Sequence, residues 1–150
     1  MKIALIAMSG VRAHNEELTR LGMTLPGFVE RSRVIASLPS LSLLTLAALT
    51  PERFQLEYHE VADIRSLGSL PVCDLAAIST YTAQAKDAYE LAGRYRQVGV
   101  KTAIGGTHAT ALPQEALGQC DAVVVGEGEL GWPRLLEDFS AGRLGEVYAP

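Results

Sequence analysis

Short apolar runs alternate with segments of helical periodicity along most of this chain. Lys2 to Met8 is apolar without a helical period and ends at Ser9-Gly10, the pattern of a buried parallel strand entering a loop. Val11 to Pro39 is mixed, with a helical turn expected around Glu16 to Leu21 and loop signals at Gly22, Pro26 and Gly27. Leu38-Pro39-Ser40 then opens a helix whose Leu41, Leu44, Leu46 and Leu49 are expected to form a broad buried face, with Thr50-Pro51 as its stop. Phe54 to Val61 alternates in part, as an edge or second strand exposed on one side does, whereas Leu75 to Tyr81 is more uniformly apolar and so more central.

The clearest helix lies between Ala83 and Val98. Ala88, Leu91, Ala92, Tyr95 and Val98 recur at steps of three and four, and Lys86, Asp87, Glu90, Arg94 and Arg96 fill the other face. Gly99 ends it. Val100 to Ile104 reads as a fourth strand, Pro113 opens a short helix to about Leu117, and Ala122 to Val125 reads as a fifth strand. Trp132, Leu135, Leu136 and Phe139 make one apolar stripe on a last helix that Gly142 closes. Strands alternating with crossover helices require parallel pairing with right-handed connections. The expected fold is therefore α/β, a doubly wound five-stranded parallel sheet of Rossmann or flavodoxin type in the order 2-1-3-4-5.

Composition narrows the class. A chain of 150 residues with 48% hydrophobic content fits one domain, residues 1–150, with 1–37 as first strand plus variable loop and 38–150 as the core. The end near Tyr148-Ala149-Pro150 reads as a domain boundary, so a truncated chain is expected. A net charge of -4 leaves no cationic surplus for nucleic acid or an anionic membrane. The most apolar stretch, Leu41 to Leu49, is about half of the roughly 20 residues a membrane span needs. A cytoplasmic location is expected. Cys73 and Cys120 lack any C-x-x-C spacing and are read as small core residues.

In this topology ligands bind outside the carboxyl ends of the strands, where the first and third strands diverge. Those ends carry Ser9-Gly10, Ser79-Thr80-Tyr81-Thr82, Gly105-Gly106-Thr107-His108 and Gly126-Glu127-Gly128-Glu129. Glycine lets a backbone approach a ligand and is costly elsewhere, so its concentration on one rim favours a cofactor site over routine turns. Thr82 is expected to cap the helix at Ala83, leaving Ser79 and Thr80 to face a ligand. His108 is assigned a rim role, because a lone His without further ligands at metal spacing rarely makes a metal site. Glu127 and Glu129 flank a turn glycine, and one of them is expected to accept backbone hydrogen bonds that brace the adjoining loops; His14 and His59 read as solvated. No residue is assigned as catalytic and none as a metal ligand.

The stretch Leu38 to Leu49, Ile78-Ser79-Thr80-Tyr81-Thr82, Gly105-Gly106-Thr107-His108-Ala109-Thr110, Pro113-Gln114-Glu115-Ala116 and Asp121 to Glu129 resembles, in order, the cobalamin-binding domain that precedes the radical S-adenosylmethionine barrel. The resemblance covers roughly Leu38 to Tyr148. It implies a corrin ring on the carboxyl edge of the sheet, with the nucleotide tail in the cleft beside the central strands. The D-x-H-x-x-G of other cobalamin domains, whose His ligates cobalt, is replaced here by Ser9-Gly10-Val11-Arg12-Ala13-His14-Asn15. Resemblance thus implies cobalamin with its own base displaced and no protein His below the metal. Two cysteines cannot assemble a three-cysteine cluster site, so S-adenosylmethionine and a 4Fe–4S cluster belong to a partner barrel, in cis or in trans. The parent reaction is expected to be a methyl transfer or a rearrangement. A phosphorelay receiver is rejected for lack of the acidic residues that it requires. A flavin or nucleotide binder of the same topology, and a degenerate domain serving as an interaction scaffold, remain as alternatives.

Overall fold

The computed structural model describes residues 1–9 and 39–150. Its elements are β1 (Lys2–Met8), α1 (Leu41–Leu49), β2 (Gln55–Val61), β3 (Leu75–Ser79), α2 (Ala85–Gln97), β4 (Lys101–Gly105), α3 (Thr107–Ala111), α4 (Pro113–Leu117), β5 (Ala122–Val124), α5 (Gly128–Ser140) and β6 (Val147–Tyr148). All neighbouring strands pair in parallel, in the order β2-β1-β3-β4-β5-β6. The α/β class and the order of the first five strands are those expected. A sixth strand, not expected from the sequence, joins the edge of the sheet: Val123 N donates to Glu146 O at 2.8 Å, Val125 N donates to Tyr148 O at 2.9 Å, and Tyr148 is buried.

Alternation along the central strands sends successive side chains to two separate cores. On one face Ala4, Ile6, Met8, Ala76, Ile78, Ile104 and Val123 pack against Ala88, Leu91, Ala92 and Tyr95 of α2. On the other, Ile3, Leu5, Leu75 and Ala122 pack with Leu43 of α1 and with Trp132, Leu135 and Leu136 of α5. Each large side chain so buried stabilises the fold by about 1.5–3 kcal/mol. Gly99 and Gly142 end α2 and α5 at φ +80 and φ +68, the left-handed turn that glycine makes without strain.

Two local expectations are corrected. The leucine face of α1 is not buried as a whole: Leu43 alone is fully covered, while Leu41 is 78% exposed and Leu44 and Leu49 are also open. Leucines at 41, 43, 44, 46 and 49 surround this helix, so spacing could not select the inward one. Thr82 does not cap a helix at Ala83 either. Thr82–Gln84 is a 3-10 turn, and α2 starts one residue later, at Ala85.

Among the described residues no helix is long and apolar enough to cross a membrane. Cys73 and Cys120 are buried free thiols, and burial pushes the Cys120 thiol up to about 11. His59 sits on β2 with Nε2 3.4 Å from Glu57 Oε2.

Candidate functional site

Register decides where space is left in the sheet. On the face turned to α1 and α5, Leu5 stands beside Ala77 and Ala103, and one step nearer the carboxyl ends Ala7 stands beside Ser79 and Gly105. These three strands therefore shrink to Ala, Ser and Gly as they approach the rim. The result is a cavity of about 1010 Å³, floored by those small residues and walled by Leu43 and Leu46 of α1 and Trp132 of α5.

The rim is fixed by backbone contacts that only glycine permits. Gly106 has φ +101, and a Cβ there would lie 2.3 Å from the Thr80 carbonyl oxygen; Thr80 N donates to Gly105 O at 3.1 Å. The loops after β3 and β4 are thus locked together at van der Waals contact. Gly126, at φ +75, donates its N–H to Thr110 Oγ1 at 3.0 Å, tying the β5 loop to α3. Gly128 lets α5 approach α1, since a Cβ would sit 2.8 Å from Leu46 Cδ2. Trp132 Nε1 donates to Thr50 Oγ1 at 2.8 Å, holding the indole in the wall.

One side of the cavity is polar. Tyr58 on β2 accepts a hydrogen bond from Ser40 N at 2.8 Å and donates to Glu60 Oε1 at 3.0 Å. Burial and the neighbouring Glu60 carboxylate raise the phenol above its ordinary value, whereas the Ser40 N–H opposes them. Ser40, Ser42, Tyr58 and Glu60 all line the cavity.

Of the rim residues expected from sequence, Ser9, Ser79, Thr80, Tyr81, Gly105, Gly106, Thr107, Gly126, Glu127, Gly128 and Glu129 line this one cavity. Gly10 lies outside the described residues, as does His14. Thr82 and His108 are not part of the wall. His108 is 5% exposed, and its ring turns away from the cavity: Nδ1 is 3.3 Å from Thr82 Oγ1, and Nε2 is 3.0 Å from Tyr89 Oη and 3.3 Å from Glu115 Oε1. Tyr89 donates to Glu115 Oε1 at 3.0 Å, and both ring nitrogens of His108 have a partner within hydrogen-bond distance. Burial, then Glu115, pushes the Tyr89 phenol up to about 12. The placement makes His108 a brace behind the β3 and β4 loops. Glu127 and Glu129 likewise make none of the loop-bracing hydrogen bonds expected of one of them; Glu127 precedes α5 with no side-chain cap.

Sequence reasoning missed Ser40, Ser42, Tyr58, Glu60, Thr110 and Trp132. The run of small residues at alternate strand positions, Ala7, Ala77, Ser79, Ala103 and Gly105, was the readable signal of the hollow itself. Among the described residues no histidine lines the cavity, and no group of three or more His, Cys, Asp or Glu could hold a metal ion.

Comparison with known proteins agrees with this geometry. Residues 69–136 match the family model of the B12 binding domain. The chain is 32% identical over 108 residues to bacteriochlorophyllide d C-8(2)-methyltransferase of Chlorobaculum tepidum, covering 72% of this chain and 24% of that protein. It is 34% identical over 112 residues to the C-12(1)-methyltransferase of the same organism, with the same coverage of 72% and 24%. An uncharacterized methyltransferase of Pyrococcus horikoshii is 36% identical over 75 residues, 47% of this chain and 16% of that one. The chain thus spans at most about a quarter of the length of these relatives. The crystal structure of the N-terminal domain of a hypothetical protein from Thermotoga maritima superposes with a TM-score of 0.50 at 22% identity, over 79% of this chain and 96% of that one, a likeness of fold.

Proposed function

We propose that the cavity holds cobalamin in a base-off form with no protein His below the metal, as the cofactor module of a larger enzyme; the match of residues 69–136 to the B12 binding domain and the similarity to methyltransferases support this reading. The observation that carries this reading is the hollow beneath the rim, made where Ala7, Ala77, Ser79, Ala103 and Gly105 replace larger side chains. A mostly apolar cleft with a few placed polar groups suits a displaced nucleotide tail. The glycine-bearing loops after β3, β4 and β5 offer backbone close enough to support a flat ring.

Cobalamin, when bound, supplies a methyl carrier; the chain's own residues bind and orient it. Ser79, Thr80 and Tyr81, on the loop locked by Gly106, would help hold the corrinoid. Trp132, Leu43 and Leu46 keep water from the tail. His108, through Thr82, stiffens the loop from behind. A flavin or nucleotide needs cationic or helix N-terminal partners for its phosphates. The described wall offers three carboxylates and no Lys or Arg, which leaves the N-terminus of α5 as its phosphate partner.

The parent is proposed to be a radical S-adenosylmethionine methyltransferase or rearrangement enzyme whose barrel, in cis or in trans, carries S-adenosylmethionine and the 4Fe–4S cluster. Exposed Leu41, Tyr81, Leu112 and Leu130 are themselves wall residues or lie one position from wall residues, which suits a mouth that a second domain covers. The test is titration with hydroxocobalamin and methylcobalamin, followed through a desalting column and by EPR after reduction to cob(II)alamin. Retained corrinoid with a base-off spectrum and no nitrogen splitting is expected. A colourless eluate would overturn cobalamin binding by this domain, and nitrogen splitting would overturn the missing axial His.

A further inference from the structure

Glu60, Glu127 and Glu129 are the charged residues of the described cavity wall, and no Lys, Arg or His offsets them there. Glu60 is engaged with the Tyr58 hydroxyl. Glu127 and Glu129 differ. Both are exposed at the start of α5, and neither has a hydrogen-bond or ion-pair partner among the described residues. The positive end of the α5 macrodipole makes negative charge tolerable at this position. It does not explain why the residue at the cap is a Glu that makes no cap hydrogen bond, where Ser, Thr, Asp or Asn would. Two free acceptors with negative charge thus border a largely apolar hollow, whose low-dielectric wall strengthens their field toward whatever lies in the mouth.

A corrinoid presents primary carboxamides around its ring, and each amide N–H is a donor. Hydrolysis of such an amide replaces the donor by a carboxylate. Resting on the corrinoid reading above, we propose that Glu127 and Glu129 select corrinoids with an amidated periphery, accepting hydrogen bonds from ring amides and repelling ring carboxylates. The pair sets which corrinoids the cavity admits, including biosynthetic forms whose side chains are still acids. Solvent screens both side chains, so discrimination should be tens of fold rather than thousands.

The test compares binding of cyanocobalamin with that of its tricarboxylic acid, in which three propionamides are hydrolysed but the nucleotide tail is intact. Kd values come from absorbance or fluorescence titration of the full chain at low salt and in 1 M salt. The tricarboxylic acid should bind at least about tenfold more weakly, and the ratio should shrink at high salt. The variant E127Q/E129Q, which keeps size and acceptor oxygens while removing charge, should bring the ratio close to one. Circular dichroism and an unchanged thermal melt establish that the variant is folded; if it is not, E127Q and E129Q singly should each narrow the ratio. Equal affinity of the wild-type chain for the two forms, or a ratio unchanged in all three variants, overturns the selection and leaves the corrinoid site standing. Failure of the wild-type chain to bind either form overturns the corrinoid reading, and the selection with it.

Discussion

The two faces of one sheet behave differently at the rim. Toward α2, the last inward residues of the central strands are Ile6, Met8, Ile78 and Ile104, and the core is packed to its edge. Toward α1 and α5, the same strands end in Ala7, Ser79 and Gly105, and the core opens into a cavity of about 1010 Å³. The backbone is common to both, so the difference lies wholly in side-chain volume at alternate positions. Fold stability is carried by one face and by the amino end of the other. The carboxyl end of that other face is left hollow.

The sharpest way to break this comparison is the same kind of enlargement on both faces. Ala77→Phe projects into the hollow, where there is room, and should lower cobalamin affinity by more than about a hundredfold with little loss of stability. Ala76→Phe, one residue earlier and 0% exposed, meets a filled core and should cost at least about 1–3 kcal/mol of stability. Thermal melts and corrinoid titrations of both variants check the pair. If Ala77→Phe melts as Ala76→Phe does, the hollow is not a free volume and the contrast between the faces fails.

Gly106→Ala tests the lock between the β3 and β4 loops. A Cβ 2.3 Å from the Thr80 carbonyl, at φ +101, forces the backbone to move, with an expected cost of about 2 kcal/mol and weaker corrinoid retention. Behind that lock, His108→Ala leaves Thr82 and Tyr89 short of a partner. It should cost about 1–2 kcal/mol by urea denaturation, with His108→Gln recovering part of the loss. A His108→Ala variant as stable as the wild type, with unchanged affinity, would mean that the brace does not position the loop.

Much of this was legible from the chain. The alternation of apolar runs with the α2 and α5 stripes fixed the class and the order of five strands, and the glycine and hydroxyl residues at three strand ends marked the rim. What was hidden depended on three dimensions. Whether His108 faces the cavity or the core depends on the orientation of α3, a helix of only five residues with no readable period. α1 is apolar all round, so its inward residue, Leu43, could not be chosen by spacing. Val147-Tyr148 is too short to announce a strand and gains its place from the open edge of β5. Tyr58 and Glu60 enter the site because β2 runs beside β1, where Leu5 pairs with Tyr58 and Ala7 with Glu60, 53 residues apart in sequence.

The smallest effect should come from the opposite end of the sheet, where acidic residues serve structure alone. Asp121 accepts hydrogen bonds from Thr102 N at 2.9 Å, from Thr102 Oγ1 at 2.8 Å and from Lys101 Nζ at 3.1 Å. Burial by itself would raise its pKa, but these donors together with the Lys101 charge outweigh burial and hold the carboxyl below its ordinary value of 3.8. Since the folded pKa is the depressed one, the group's contribution to stability is complete above that ordinary value and fades as pH falls through the folded pKa. Asp121→Asn should cost about 1 kcal/mol at pH 7 and remove part of the acid sensitivity below pH 3.8. Denaturation curves between pH 2 and 7 measure both. The same Asn substitution should leave the Kd for cobalamin unchanged, because the staple joins β4 to β5 at their amino ends, while the proposed site lies at the carboxyl ends. A changed Kd would mean that the two ends of the sheet are coupled, and the division of labour between them would have to be given up.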